Sequence, residues 1–365
     1  MRKTLFALAA LIPVALLISA LSLTFWHTSG ARAAATCTAT GFYRDNINLT
    51  AAMIVTTSNQ TISGPVNAAG CNIGIYFGQG LTDTISGAQI FGANYFGVVN
   101  NGSKVTLTKS QIHDIGENPL NGDQHGVAIY WSYDHVDKGT ISNNLIWNYQ
   151  KGGIVVNGYG TSATISHNTV IGQGPVNYIA QNGIQIGYGA KATVSGNIVT
   201  GNSYTGSGQA ASGGILVVGG SCYGGALTIG IKITNNTVIG NDVGVYLSNL
   251  DGTTCIPTTT PTNIVVNKNI ITNDAVNNTT GAGTGGYQAG ISDQGDYDQM
   301  TNNSICGLGY TPVNNPPPYL YMIDVTVTNN PTVSNNTSCL DGSPVTTPAA
   351  AIHFMKHHAK AIAIK

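Results

Sequence analysis

From about residue 55 onward the chain alternates short apolar runs with polar punctuation, and it repeats itself. Thr140-Ile-Ser-Asn-Asn-Leu-Ile146, Thr164-Ile-Ser-His-Asn-Thr-Val170 and Thr193-Val-Ser-Gly-Asn-Ile-Val199 share one phrase, with Asn144, Asn168 and Asn197 spaced 24 and 29 residues apart. The phrase continues at Asn236, Asn269 and Asn303, and upstream Ser110 stands in the Asn place. A second phrase opens on glycine and runs into apolar residues, at Gly97, Gly126, Gly153, Gly183, Gly214, Gly244 and Gly290. The runs are rich in Ile, Val and Thr with period-two alternation, so they predict strands.

A 24-residue repeat leaves no room for a crossover helix. It predicts one coil of short parallel strands per repeat, each stacked on the last: an all-β parallel β-helix with an Asn ladder. Asn tolerates the left-handed turn between strands, and stacked amides can bond from coil to coil. A Gln precedes several of the glycines (Gln124, Gln150, Gln181, Gln288) and reads as a further stacking amide. The pattern over about residues 55–340 resembles the right-handed parallel β-helix of the pectate-lyase-like superfamily. That resemblance implies a sugar cleft beside one sheet, and no single activity, because the fold serves lyases, hydrolases, epimerases and non-catalytic surface proteins.

Residues 1–35 read as a secretory signal peptide: a basic start, an apolar run from Leu5 to Trp26, and small-residue cleavage sites. An uncleaved membrane anchor is the alternative. Residues 36–342 form one β-helix domain, with caps at 36–70 and 307–342. Residues 343–365 are a linker and a basic His/Lys tail, suited to loose attachment to an anionic wall polymer. Six cysteines in an exported chain suggest three disulfides. Fifteen pairings are open, and neighbouring coils favour Cys37–Cys71, Cys222–Cys255 and Cys306–Cys339.

Only 8% of the chain is charged and the net charge is −1, which argues against nucleic acid as a partner. The expected partner is a polysaccharide or cell-wall glycan, met by a monomer. Insertions collect between the Asn phrase and the next Gly phrase, as at 168–183, 197–214 and 269–290. They predict a wall of loops along one side of the solenoid.

Residues 111–138 break the low-charge rule. They hold the only Glu, four Asp, and three of the four His between residues 36 and 350. A solvated loop is the plain reading. The sharper one is a saccharide site with His125, Lys151, Tyr130, Asp134 and His135 as catalytic groups. Trp131, Tyr133, Asn157, Gln181 and Gln185 would bind substrate. If the Gln repeat sets the register, His125 and Lys151 are neighbours; if Gly153 does, they face apart.

Uronate β-elimination or C5-epimerisation suits these residues best, with Lys151, Gln181 or a Ca²⁺ ion neutralising the carboxylate. Tyr133-Asp134-His135 resembles the Asp-Pro-His motif of mannuronan epimerases without its Pro. A non-catalytic glycan-binding or structural rod is the alternative. Hydrolysis ranks lower, since it needs paired carboxylates and the polygalacturonase signature is absent. Asp293, Asp296 and Asp298 read as turn residues in preference to a weak calcium site. No flat Thr array is expected apart from the Thr beside the Asn turn.

Overall fold

A computed structural model describes residues 36–345, apart from 209, 281–284, 314, 326–328 and 340. The expected signal peptide and the basic tail lie outside the described residues. The strands fall into three rows, and each coil visits them in turn. The first row stacks Ile47–Val55, Ile73–Phe77, Phe96–Asn100, Val127–Trp131, Gly152–Asn157, Asn182–Gly187, Gly213–Gly219, Val243–Asp251, Tyr287–Asp293 and Tyr319–Val325. The second begins in Thr61–Asn67 and continues through Thr82–Phe91, Lys104–Thr108, Lys138–Ser142, Ser162–Ser166, Lys191–Ser195, Lys232–Thr234, Val265–Asn267, Gln299–Thr301 and Thr332–Ser334. The third follows after a one- or two-residue turn, as Gln111–Ile115, Leu145–Tyr149, Thr169–Val176, Ile198–Tyr204 and their successors to Thr337–Ser338. Coil-to-coil pairing is parallel. The segment expected to be a terminal cap, 307–342, continues the coils.

Inward residues stack in columns. Ile129, Ile154, Ile184, Ile215, Val245 and Ile291 come level on successive first-row strands and are fully buried. The glycines leave room for the neighbouring coil. A Cβ on Gly183 would lie 2.7 Å from the Gly214 carbonyl oxygen and against the Val199 side chain. Gly183→Ala is therefore expected to cost about 1–3 kcal/mol, read as a lowered denaturation midpoint with unchanged slope. An unshifted midpoint would mean that the coils can separate there.

The Asn ladder runs from Asn144 through Asn168, Asn197, Asn236, Asn269 and Asn303 to Asn336. Each side-chain amide donates to the next rung's Oδ1 at 2.9–3.0 Å. Ser110 closes the upstream end by accepting from the Ala88 N–H. The left-handed residue is the one before each rung, as at Asn143, His167, Asn235, Lys268 and Asn302, and not the rung itself. The rung's amide is occupied between coils, so the residue before it makes the bend.

The three disulfides are Cys37–Cys71, Cys222–Cys255 and Cys306–Cys339. An antiparallel hairpin, Thr38–Arg44 against Ile47–Val55, covers the first edge. Its tip, Asp45-Asn46, takes positive φ at both residues, as a tight hairpin turn requires. Among the described residues no helix is long and apolar enough to cross a membrane.

Candidate functional site

The insertions leave the coil at one corner, between the third row and the first: 116–126, 177–181, 205–212, 273–286 and 307–318. They touch one another. Thr280 Oγ1 donates to the Thr205 and Gly206 carbonyls, and Asn278 Nδ2 to the Ala210 carbonyl. The expected wall of loops is thus built.

Buried polar side chains pin these loops to the coil. Gln150 accepts from the N–H groups of Glu117 and Asn121 and donates to Asn121 Oδ1 and the Asp123 carbonyl. Gln288 does the same for Asn277, Asn278 and Ala275. Gln181 receives the Gln173 N–H and donates to the Tyr149 and Gln150 carbonyls. Asp242 accepts from Ser203, Tyr204, Ser212 and Asn278. Gln150, Gln181 and Gln288 are thus loop clamps, not a stack of amides, and Gln124 is exposed and donates to the Gly122 carbonyl of its own loop.

Both expected registers for Lys151 fail. Gly152 lies opposite Val127 and Ile154 opposite Ile129, so Lys151 comes level with Gly126 and Gln150 with His125. Gly126 stands outside the glycine column, whose place Ala128 takes. Lys151 is fully buried and donates to the Ala180 carbonyl, which makes it another loop clamp. Burial pushes its ammonium down to about 7. It cannot meet a substrate carboxylate.

Tyr130 and Trp131 are also fully buried. Trp131 points into the apolar core. Tyr130 lies on the other face beneath the hairpin, where Phe42 packs on it and the Arg44 guanidinium sits over its ring and donates to its hydroxyl. Neither can be a sugar platform. Asn157, Gln181 and Gln185 are buried and bonded, with Gln185 Nε2 donating to Asn157 Oδ1. Tyr133, Asp134 and His135 lie at the opposite corner, past the far end of Val127–Trp131. There Tyr133 meets Tyr188 edge-on and His135 contacts Gln79. They form no single site with His125. Asp293, Asp296 and Asp298 are buried; Asp293 and Asp296 accept from neighbouring backbone, and Asp298 accepts from Thr262 and Ile264. Burial first, then the Asp298 charge, push the Asp293 carboxyl well above the usual carboxylate range.

At the loop-walled corner, titratable groups gather around His125. Its Nε2 lies 2.7 Å from Glu117 Oε1, and its ring stacks on Tyr95 at 3.9 Å. Asn94 donates to Glu117, and Asn121 to Asp123. One ligand atom each from Glu117, Asp123 and His125 lie within 4.8 Å of one another. Tyr95 Oη reaches Asp45 at 3.5 Å, so the hairpin tip joins the group. Burial first, then the Asp45, Glu117 and Asp123 charges, raise the Tyr95 pKa and keep its hydroxyl protonated. The corner can hold a proton on imidazole, carboxylate or phenol, and two of its carboxylates can share a cation. Tyr95, Asn94 and Asp45 went unnoticed in the sequence, since each reaches the site from another coil or from the hairpin.

A solved structure, the crystal structure of Dettilon tailspike protein (gp208), is similar at TM-score 0.50 and 14% identity, over 76% of this chain and 55% of that one. The chain thus spans about half the length of the tailspike, and the likeness is one of fold. None of the curated proteins matches. The family described as "Right handed beta helix region" matches residues 45–229, just over half of the chain. The chain belongs to the right-handed β-helix family.

Proposed function

We propose that this is an exported protein acting on an acidic, uronate-containing polysaccharide at the loop-walled corner, by β-elimination or C5-epimerisation. The observation that carries the reading is the Glu117–His125–Asp123 group, on a loop clamped by Gln150 at the corner where insertions gather. The resemblance to pectate-lyase-like proteins puts a sugar cleft beside such loops. Three disulfides suit an oxidising compartment.

In this reading Glu117 fixes His125 through Nε2–H and leaves Nδ1 basic. Nδ1 takes the C5 proton. The C5–H electrons form the C4=C5 double bond, the C4–O bond breaks, and the leaving oxygen takes a proton, for which the Tyr95 hydroxyl is the nearest phenolic donor. In epimerisation the C4–O bond stays intact, and the C5 carbanion left by proton removal takes a proton from the opposite face. A bare uronate would meet the charges of Asp45, Glu117 and Asp123, and among the described residues of this corner no accessible ammonium offsets them. A Ca²⁺ ion between the Glu117 and Asp123 carboxylates would supply that positive charge; both are oxygen donors of the kind Ca²⁺ prefers.

Hydrolysis is the second reading, favoured by the closeness of Glu117 and Asp123, within 4.8 Å. Facing carboxylates about 5–5.5 Å apart are the arrangement of retaining glycosidases. A non-catalytic glycan binder would use the same corner without turnover.

The test follows product formation on a panel of acidic polysaccharides with Ca²⁺ or chelator. Rising absorbance at the unsaturated-uronate band, lost on chelation, supports elimination. C5 inversion by NMR supports epimerisation, and new reducing ends without absorbance would replace both with hydrolysis. No product on any uronate polymer would overturn catalysis on that class. Where turnover is found, His125→Gln is expected to lower it by about 100-fold or more, with little change in melting temperature.

A further inference from the structure

The second strand row carries a feature that the corner does not use. Seven lysines fall among the described residues, and six are exposed: Lys104, Lys109, Lys138, Lys191, Lys232 and Lys268. All six sit on second-row strands or on the turns that follow them. Lys104 and Lys138 are level on adjacent coils. Lys138 pairs with Ser162 and Ser162 with Lys191, so the third lysine continues the same column. Lys232 lies one coil on, level with Thr193. Lys268 follows the next strand, Val265–Asn267. The stripe therefore crosses six coils, about 24 Å at roughly 4.8 Å per coil.

Carboxylates avoid this face. Asp83 and Asp137, the acids within its span, are buried. The exposed acids lie on corners, loops or the third row; Asp134, at the turn leading into the second row, is the nearest along the chain. Between the lysines run two outward rows of hydroxyls. Thr84, Thr106, Thr140, Thr164 and Thr193 are level on five successive coils. Two residues along, Ser86, Thr108, Ser142, Ser166 and Ser195 form the second row. Ser142 Oγ donates to Thr108 Oγ1 at 3.2 Å. The hydroxyl array thus extends beyond the threonine beside the Asn turn.

We propose that this face is a docking surface for a linear anionic polysaccharide, with the lysines meeting its acidic groups and the hydroxyl rows its sugar hydroxyls. The charge is complementary and one-sided, on a chain whose net charge is −1. The coil repeat sets the hydroxyls at a regular spacing along the axis, with lysines beside them on five of the six coils, which suits a polymer of repeating sugars. No aromatic residue occurs on this row between Lys104 and Thr301, which removes the base-stacking platforms that single-stranded nucleic acid uses. The inserted loops leave the coil elsewhere, so docking here does not depend on catalysis at the corner.

The experiment measures retention of the mature protein on immobilised polygalacturonate and alginate, with neutral dextran and duplex DNA as comparisons. The variant is Lys104→Gln/Lys138→Gln/Lys191→Gln, which changes exposed side chains only. Binding of the wild type to the uronate polymers should weaken steeply as salt rises. The triple variant should lose at least about tenfold in affinity at unchanged melting temperature. Equal binding by the triple variant would overturn the proposal. So would equal retention on dextran, or DNA binding as tight as that of the uronate polymers. Turnover at the corner is read separately by product absorbance, so either result can fail alone.

Discussion

Replacing Asn197 by alanine is expected to lower stability by about 3–5 kcal/mol. Asn197 is a middle rung. Its Nδ2 donates to Asn236 Oδ1 and to the Ile165 carbonyl, while its Oδ1 accepts from both the backbone N–H and the side-chain amide of Asn168. Alanine leaves two donors and one carbonyl without partners where water does not reach, and each buried orphan costs about 1–3 kcal/mol. Aspartate would do no better, because its oxygens would face the Ile165 carbonyl and Asn236 Oδ1. Serine should fall between, as Ser110 serves only at the ladder's end. Equilibrium denaturation of the oxidised protein checks this. A loss below about 1 kcal/mol would mean that the neighbouring amides re-pair and the ladder is dispensable.

The second large effect is on pH. The Asp137 carboxyl is fully buried; its Oδ1 accepts from the Gly102 N–H, and its Oδ2 has no partner among the described residues. Burial pushes its pKa up to about 8, against backbone hydrogen bonds that lower it. The folded protein therefore keeps a proton that the unfolded chain releases near pH 4. Stability from this group is full below that pH and is lost as pH rises through about 8. Asp242 and Asp298, both raised to about 6 by burial, act in the same direction over a narrower window. Lys151, lowered to about 7, adds stability only as pH rises above that value. The melting temperature should thus fall from pH 4 to pH 8. Asp137→Asn should match the wild type near pH 4 and exceed it at pH 8. A wild-type melting temperature that rises over this range would refute the assignment.

Much of the fold was legible because its signals are local. The Asn rung, the apolar alternation and the glycine recur in every coil, so the stacked strands, the ladder and the three disulfides can be read from spacing. The site was less legible because its geometry comes from long-range packing. Lys151 looked like a surface cation, but the 177–181 insertion covers it. Tyr130 and Trp131 looked like sugar platforms, but adjacent strand residues face opposite ways. One enters the core, and the other is covered by a hairpin more than 80 residues earlier. The gathering of Glu117, Asp123 and His125 was visible as an unusual concentration of charge. Gln150 was visible as a repeat, but its role as a clamp depends on where the inserted loop folds.

His125 on its clamped loop is the proposed working group, and buried Lys151 is structural. The most direct measurement compares uronate product formation by wild type, His125→Gln and Lys151→Met at matched folded fractions, on a polymer that the wild type turns over. With His125 as the proton acceptor, near-complete loss is expected for His125→Gln and retained turnover for Lys151→Met. Retained turnover in His125→Gln, or its abolition in a well-folded Lys151→Met, would contradict these assignments.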